Sequence, residues 1–224
     1  MAWALATAAG KDATLALHRA REEGKEVRWA LNIFEGNTGL VRFHGTPRAL
    51  VEAQARALGL EPVLGETHPA GFEEVLAGLL LELRERGAQG VIFGNLHLEE
   101  IRGWYEERVT AVGLDHSEPL WGIPPREVVE EVTKRGFRAL VTAVNLELGD
   151  PAWLGRELDG ELLGVFLGRN GMDAAGERGE YHTFVHAGPG FSTPVSFHIA
   201  GVEEREGHRF LTLVPGSSPD AGAV

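Results

Sequence analysis

The run WALATAAGKDATLALHRA, Trp3–Ala20, decides how the rest of the sequence is read. Trp3–Thr7 reads as a strand and Lys11–Glu23 as a helix, joined by the small residues Ala8, Ala9 and Gly10. The same alternation continues outward from this unit. Val27–Phe34 is a second strand, followed by a turn at Glu35–Gly39 and a short extension at Leu40–Phe43. Pro47 opens a helix to Leu58, at a position where its missing N–H is not needed. Glu61–Gly65 is a third strand. Phe72, Val75, Leu76, Leu79, Leu80 and Leu83 then fall on one face of a helix. Val91–Phe93 is a short buried strand, Leu98–Val112 a helix, Glu118–Trp121 strand-like, Pro125–Arg135 helical and Phe137–Val144 an apolar strand. Strands separated by helical crossovers predict a doubly wound, mostly parallel α/β sheet. Character changes near Leu148–Asp159. A helix at Asp159–Leu167 leads through the Gly-rich loop Gly168–Gly179 to β-like runs at Tyr181–His186, Pro194–Gly201 and His208–Val214. The last two are joined by an expected hairpin at Glu206–Gly207. The predicted organisation is an α/β domain at 1–147, a smaller α+β domain at 148–214 and a flexible tail at 215–224.

Composition narrows the function. There are 33 acidic against 21 basic residues, a net charge of −12, and no Lys/Arg cluster that would neutralise phosphates, so nucleic acid is an unlikely partner. Cysteine is absent, which excludes disulfides, thiolate zinc sites, iron–sulfur clusters and thiol catalysis by this chain. No apolar run is long enough to span a bilayer, so no membrane is expected and the expected location is cytoplasmic. Arg in preference to Lys, few Asn and Gln and only two Met suggest a thermophilic source.

Two loops can carry chemistry. The first, Ala8-Ala9-Gly10-Lys11-Asp12-Ala13, leaves the first strand and opens the first helix. In an open parallel sheet ligands bind beyond the carboxyl ends of strands, and small residues let backbone amides approach a phosphate. The bland alternative is a tight turn with an exposed Lys and a capping Asp. The second loop, Ala175 to Phe184, gathers Glu177, Glu180, His182 and Thr183 where a Gly-rich turn enters a strand. Alternation puts Glu180, His182 and Phe184 on one face. Such a group can orient an amine, hold a metal or move protons; equally, it can be the solvated face of a hairpin.

Together the loops, and what lies between them, resemble the adenine-nucleotide alpha-hydrolase-like ATP pyrophosphatases related to diphthine–ammonia ligase. Ala8-Ala9-Gly10-Lys11-Asp12-Ala13 stands where that family carries the Ser-Gly-Gly-Lys-Asp-Ser PP-loop. Phe43-His44-Gly45 and Leu50–Ala55 are similar to its His-Gly segment and helix. Phe93-Gly94-Asn95 corresponds to Phe-Gly-Asp, and Pro119–Gly122 and Gly155–Asp159 match closely. Ala175 to Phe184 is similar to Cys-Gly-Glu-Asn-Gly-Glu-Tyr/Phe-His-Thr-Phe. The resemblance implies a ligase that adenylates a carboxylate, releases pyrophosphate and adds ammonia. ATP and Mg²⁺ are the implied cofactors. Ala8, Ala9, Gly10, Lys11, Asp12, Ala13, Asn32 and Asn95 are the implied nucleotide residues, and Asp12 is a candidate magnesium ligand. Lys11, Asp12, Glu177, Glu180 and His182 are the implied catalytic set, with His44, Arg156 and Thr183 on the substrate side. Expected partners are ATP or AMP, ammonia and an unidentified carboxylate acceptor, with a homodimer left open.

The sequence departs from that pattern where the chemistry should be. Ala8 and Ala13 replace two hydroxyls, each worth about 1.5–3 kcal/mol to a charged phosphate, or together about two to four powers of ten in affinity. Ala9 replaces a glycine, at ~1–2 kcal/mol if φ is positive there. Asn95 replaces an aspartate and Ala175 a cysteine. A non-catalytic nucleotide- or partner-binding relative is therefore the alternative. A tRNA-modifying relative would need a basic surface that is not seen. Trp3, Trp29 and Trp153 read as packing residues, and Trp104-Tyr105 as helix packing or cleft lining. His18, His68, His97, His116, His186, His198 and His208 have no metal-ligand spacing and read as surface or satisfied histidines.

Overall fold

The structure is a computed structural model and describes residues 2–216. Five parallel strands form the first sheet: β1 (Ala2–Ala6), β2 (Val27–Glu35), β3 (Glu61–Thr67), β4 (Ala88–Ile92) and β5 (Asp115–Ser117). Their order is β3-β2-β1-β4-β5. The chain builds outward from β1 through β2 to β3, then crosses back to lay β4 on the other side of β1. That reversal opens a crevice between the ends of β1 and β4, where ligands bind in open α/β sheets.

The crossovers are α1 (Lys11–Glu22), α2 (Arg48–Ala57), α3 (Phe72–Glu85) and α4 (Glu99–Ala111). Period-two alternation sends Ala2 and Ala4 of β1 to one face, against Leu76, Leu79, Leu80 and Leu83 of α3 and Val109 of α4. Trp3 and Leu5 point the other way, into a core that contains Leu15, Ala16, Leu17 and Ala20 of α1. The expected apolar face of α3 is the one that is buried, with Phe72 and Val75 packed at its edge.

After α5 (Pro125–Lys134), a second sheet has the order β7-β6-β9-β8 and is wholly antiparallel. It comprises β6 (Arg138–Asn145), β7 (Tyr181–Ala187), β8 (Phe197–Arg205) and β9 (His208–Pro215), with α6 (Gly160–Leu167) inserted between β6 and β7. Val141 and Val144 of β6 and Tyr181 and Val185 of β7 share the core that holds α1. α1 thus lies between the two sheets, which explains why Lys11 and the run Thr14, Leu15, Ala16 and Leu17 are all buried.

Three local expectations change. The apolar strand near Phe137–Val144 joins the antiparallel sheet rather than the parallel one. A fully buried strand reads as the same continuous apolar run in either setting. Glu118–Trp121 is a turn, closed by Trp121 N–H donating to Glu118 O at 3.1 Å, and the strand is Asp115–Ser117 just before it. β8 starts at Phe197, three residues beyond Pro194, and runs on to Arg205. The expected hairpin at Glu206–Gly207 is present, both residues with positive φ and Arg205 paired to His208, the geometry of a two-residue primed turn. Of the expected tail, Pro215 ends β9 and Gly216 N–H donates to Ser196 O, while 217–224 lie outside the described residues.

One buried side chain ties the halves together. Gln54 of α2 donates both amide hydrogens, to Ala9 O at 2.9 Å and to Val185 O on β7 at 2.6 Å. Replacing it by Leu removes both bonds inside the core. Gln54→Leu is expected to destabilise the fold by about 2–3 kcal/mol, read from urea unfolding.

Candidate functional site

A cavity of about 540 Å³ opens at the crevice between β1 and β4. The loop after β1 forms part of its wall. Thr7 Oγ1 accepts from Ala9 N–H at 2.9 Å, folding the loop back on itself. Ala9 has φ of +64°, the left-handed region, and Gly10 then returns to an extended conformation before α1 begins. A Cβ on Gly10 would lie 3.0 Å from Cε1 of His44, so glycine lets the imidazole close over the loop. Among the described residues the amides of Ala8, Gly10 and Ala13 have no hydrogen-bond partner, and all three residues line the cavity. Gly94, after β4, packs onto the start of α1, where a Cβ would sit 2.7 Å from Ala13 N.

The charged residues of the loop divide their tasks. Lys11 does not line the cavity. Its ammonium is buried, donates to Asp12 Oδ2 at 2.8 Å and to Ala175 O, and lies 4.9 Å above the Tyr181 ring. Burial alone would lower its pKa, but Asp12, Tyr181 and Glu177 outweigh burial and raise it, so the ammonium stays charged. Asp12 does line the cavity, and its Oδ1 is buried without a partner. Burial raises the Asp12 pKa against the opposing pull of Lys11. Glu177 lines the cavity opposite, accepts from Leu96 N–H at 3.2 Å, and is pushed from 4.5 up to about 7 by burial first and then by Asp12.

Asn32, in β2 just past its last pairing with β1, donates from Nδ2 to Thr7 O, which leaves its buried Oδ1 without a partner at the cavity wall. Asn95 also lines the cavity. It donates from Nδ2 to Glu118 Oε1 at 2.7 Å, and the Glu118 side chain is only 2% exposed. A carboxylate therefore stands directly behind Asn95. His44 and His182, one from each half of the chain, pack with ring centroids 4.5 Å apart and planes tilted by 39°. Burial lowers the His44 pKa to about 4, and burial and the neighbouring His44 lower His182 well below its ordinary value. Both rings are neutral at pH 7. His44 Nδ1 lies 3.3 Å from Thr183 O, and a carbonyl only accepts, so Nδ1 carries the proton and Nε2 is left as an acceptor.

Besides Ala9 and Lys11, three further expected site residues do not line the cavity. Glu180 is buried in the loop before β7 and accepts from Asp173 N–H and Arg178 N–H at 2.9 and 3.2 Å. It braces the loop instead of sharing a face with His182, because β7 begins only at Tyr181. Thr183 is buried and its Oγ1 accepts from Lys11 N–H at 3.1 Å, capping α1 from the other half of the chain. Arg156 pairs with Glu161 at 3.0 Å and does not reach the cavity. Conversely, Thr7, Phe43, Phe72 and Ile101 line the cavity without being expected site residues, and Tyr105, read as helix packing or cleft lining, lines it as well. Ile101 and Tyr105 are one helical turn apart on α4, which is the signal that marks a shared face. Phe43 has φ of +63° and is 45% exposed, an outlier that only coordinates reveal.

Residues 1–116 match the sequence model of the diphthamide synthase N-terminal domain, and residues 124–211 match that of the C-terminal domain. The chain belongs to the diphthamide synthase family. No curated protein matches it. The resemblance to diphthine–ammonia ligases is thereby borne out at the level of the family, with ATP-utilising, ligase-like chemistry as its general character. The two matches leave 117–123 between them, ahead of α5 and β6, and the C-terminal match takes in β6, β7, β8 and the first half of β9. No helix among the described residues is long and apolar enough to cross a membrane.

Two expectations follow from the geometry. At Ala9, glycine would relieve about 1–2 kcal/mol of left-handed strain. It would also remove a fully buried methyl worth about 0.8 kcal/mol and loosen the unfolded chain by about 0.4–1 kcal/mol. Ala9→Gly is therefore expected to shift unfolding free energy by less than about 1 kcal/mol in either direction. Glu177 has its folded pKa raised, so its stability contribution is present below pH 4.5 and is lost as pH rises through about 7. Glu177→Gln is expected to be more stable than the parent by about 1–3 kcal/mol at pH 8 and close to it at pH 5, measured by thermal unfolding at both.

Proposed function

We propose that this chain is an ATP-dependent, amide-forming ligase of the diphthine–ammonia ligase type. The observation that carries the reading is the set of three unpaired loop amides beside the unpartnered Asp12 Oδ1, at the switch point of the parallel sheet. Backbone N–H groups at a helix start favour a phosphate chain, and they need no side-chain hydroxyl to do so.

In this reading a carboxylate oxygen of the acceptor attacks the α-phosphorus of ATP, the α–β bridge breaks and pyrophosphate leaves. Ammonia then attacks the acyl carbon, AMP leaves and one proton is released. The loop amides hold the leaving pyrophosphate, and buried Lys11 contributes its charge from behind the loop while fixing Asp12. Magnesium, when bound, neutralises developing charge on the phosphates. Asp12 Oδ1 fits one coordination position, in keeping with an ion that takes one or two carboxylates plus phosphate oxygens. Asn32 Oδ1 accepts from a ligand N–H, which suits an exocyclic amine of adenine. Glu177, titrating near neutrality, accepts the proton from the attacking amine. Neutral His44 offers Nε2 as a second acceptor.

A second reading, a nucleotide-binding relative without turnover, is favoured by the position of Lys11, whose ammonium is held by Asp12 and Ala175 away from the cavity. Titration calorimetry with ATP–Mg and pyrophosphate release over a panel of carboxylates with ammonia separate the two. The ligase reading expects both binding and release; binding without release under every acceptor supports the second. Absence of nucleotide binding overturns both. The lost hydroxyls give a further test. Ala8→Ser combined with Ala13→Ser is expected to tighten ATP–Mg binding by about a hundredfold or more, because each restored bond to phosphate is worth about 1.5–3 kcal/mol.

A further inference from the structure

The loop after β4 and the loop before β7 come from different halves of the chain and meet beside the cavity. Leu96 N–H donates to Glu177 Oε2 at 3.2 Å. The next residue, His97, reaches across with Nε2 to Asp173 Oδ2 at 2.6 Å. Asp173 is 3% exposed at its side chain while His97 is one-third exposed, so the histidine brings a partner to a carboxylate that water scarcely reaches. A carboxylate here accepts, which places the proton on His97 Nε2.

Asp173 is also the knot of its own loop. Its Oδ1 accepts from Ala175 N–H at 2.8 Å, and its N–H donates to Glu180 Oε1 at 2.9 Å. Glu180 Oε2 accepts in turn from Arg178 N–H at 3.2 Å. These bonds make 173–180 a braced unit, and that unit delivers two groups to the site. Ala175 O receives the Lys11 ammonium, and the Glu177 carboxyl lines the cavity. A shift of the braced unit therefore moves both groups together.

We propose that His97 is a positioning residue. Held on Asp173, its ring sets where the 173–178 segment stands against the first half of the chain, and so where Glu177 and the Lys11–Ala175 contact sit. The placement rests on geometry alone; its consequence for ligand affinity rests on the ATP reading above. Leucine at 97 keeps bulk and removes the donor, whereas glutamine carries an N–H at nearly the reach of Nε2.

The test uses the full chain as His97→Leu and His97→Gln. Amide hydrogen exchange is followed without nucleotide at Leu96 and Ala175, and ATP–Mg affinity is measured separately. His97→Leu is expected to speed exchange at those two amides by about tenfold, with β1 and β2 unchanged, and to weaken ATP–Mg binding by about five- to tenfold. His97→Gln is expected to stay within about twofold of the parent in both measurements. Three results overturn the proposal: unchanged exchange at Leu96 and Ala175 in His97→Leu, faster exchange throughout the fold, or His97→Gln behaving like His97→Leu. Because exchange is read without nucleotide, failure of the parent chain to bind ATP overturns the ATP reading and leaves the exchange result to decide the role of His97.

Discussion

A buried ammonium holds the two halves of this protein to one another. Lys11 begins α1, the helix lying between the two sheets, and its charge ends between Asp12 and the carbonyl of Ala175. Few lysines are buried without a full set of partners, because desolvation of the charge is costly. Here the anion comes from the adjacent residue, the carbonyl from the far half, and the Tyr181 ring closes over the remaining side. Loss of that arrangement would leave a charge in the interior, so the loop after β1 and the loop before β7 are fixed together. Thr183 capping Lys11 N–H and Gln54 joining Ala9 to Val185 extend the same seam. The cavity is what remains between surfaces clamped in this way.

The seam also orders the electrostatics of the site. One cation serves Asp12 on the cavity side and lies near Glu177, so neither carboxyl titrates independently. The paired rings of His44 and His182 face the same cation, which helps to keep them neutral. The result is a wall that offers acceptors and an exchangeable proton near neutrality, while its fixed positive charge is set back from the opening.

Much of this was readable from the residues, and for identifiable reasons. The parallel sheet and α3 followed from apolar spacing, since burial of one helical face constrains positions 72 to 83 directly. The hairpin at Glu206–Gly207 followed from turn chemistry. The loop after β1 was marked by its small residues, and Ala9 adopts there the left-handed conformation that favours glycine. The partner of a strand was not readable: β6 is apolar on both faces and says nothing about whether its neighbours run parallel or antiparallel. The direction of a side chain in an irregular loop was also hidden. Glu180 lies one residue before β7, and that single position turns an expected cavity acid into a brace. Long-range contacts such as His97 with Asp173 leave no mark on either segment, because each residue alone reads as an ordinary polar surface group.

Ala175 shows what such reading leaves out. Ala175, which the resemblance sets opposite a cysteine, contributes a carbonyl here, and that carbonyl anchors the central cation whatever side chain accompanies it. Thr183 O beside His44, Thr7 O under Asn32 and the amides of Ala8, Gly10 and Ala13 belong to the same class of group. Much of the site is thus written in main chain, an alphabet that every sequence tracing this path possesses. A loop without hydroxyls or a thiol still presents these groups, and resemblance counted in side chains understates what the main chain can do.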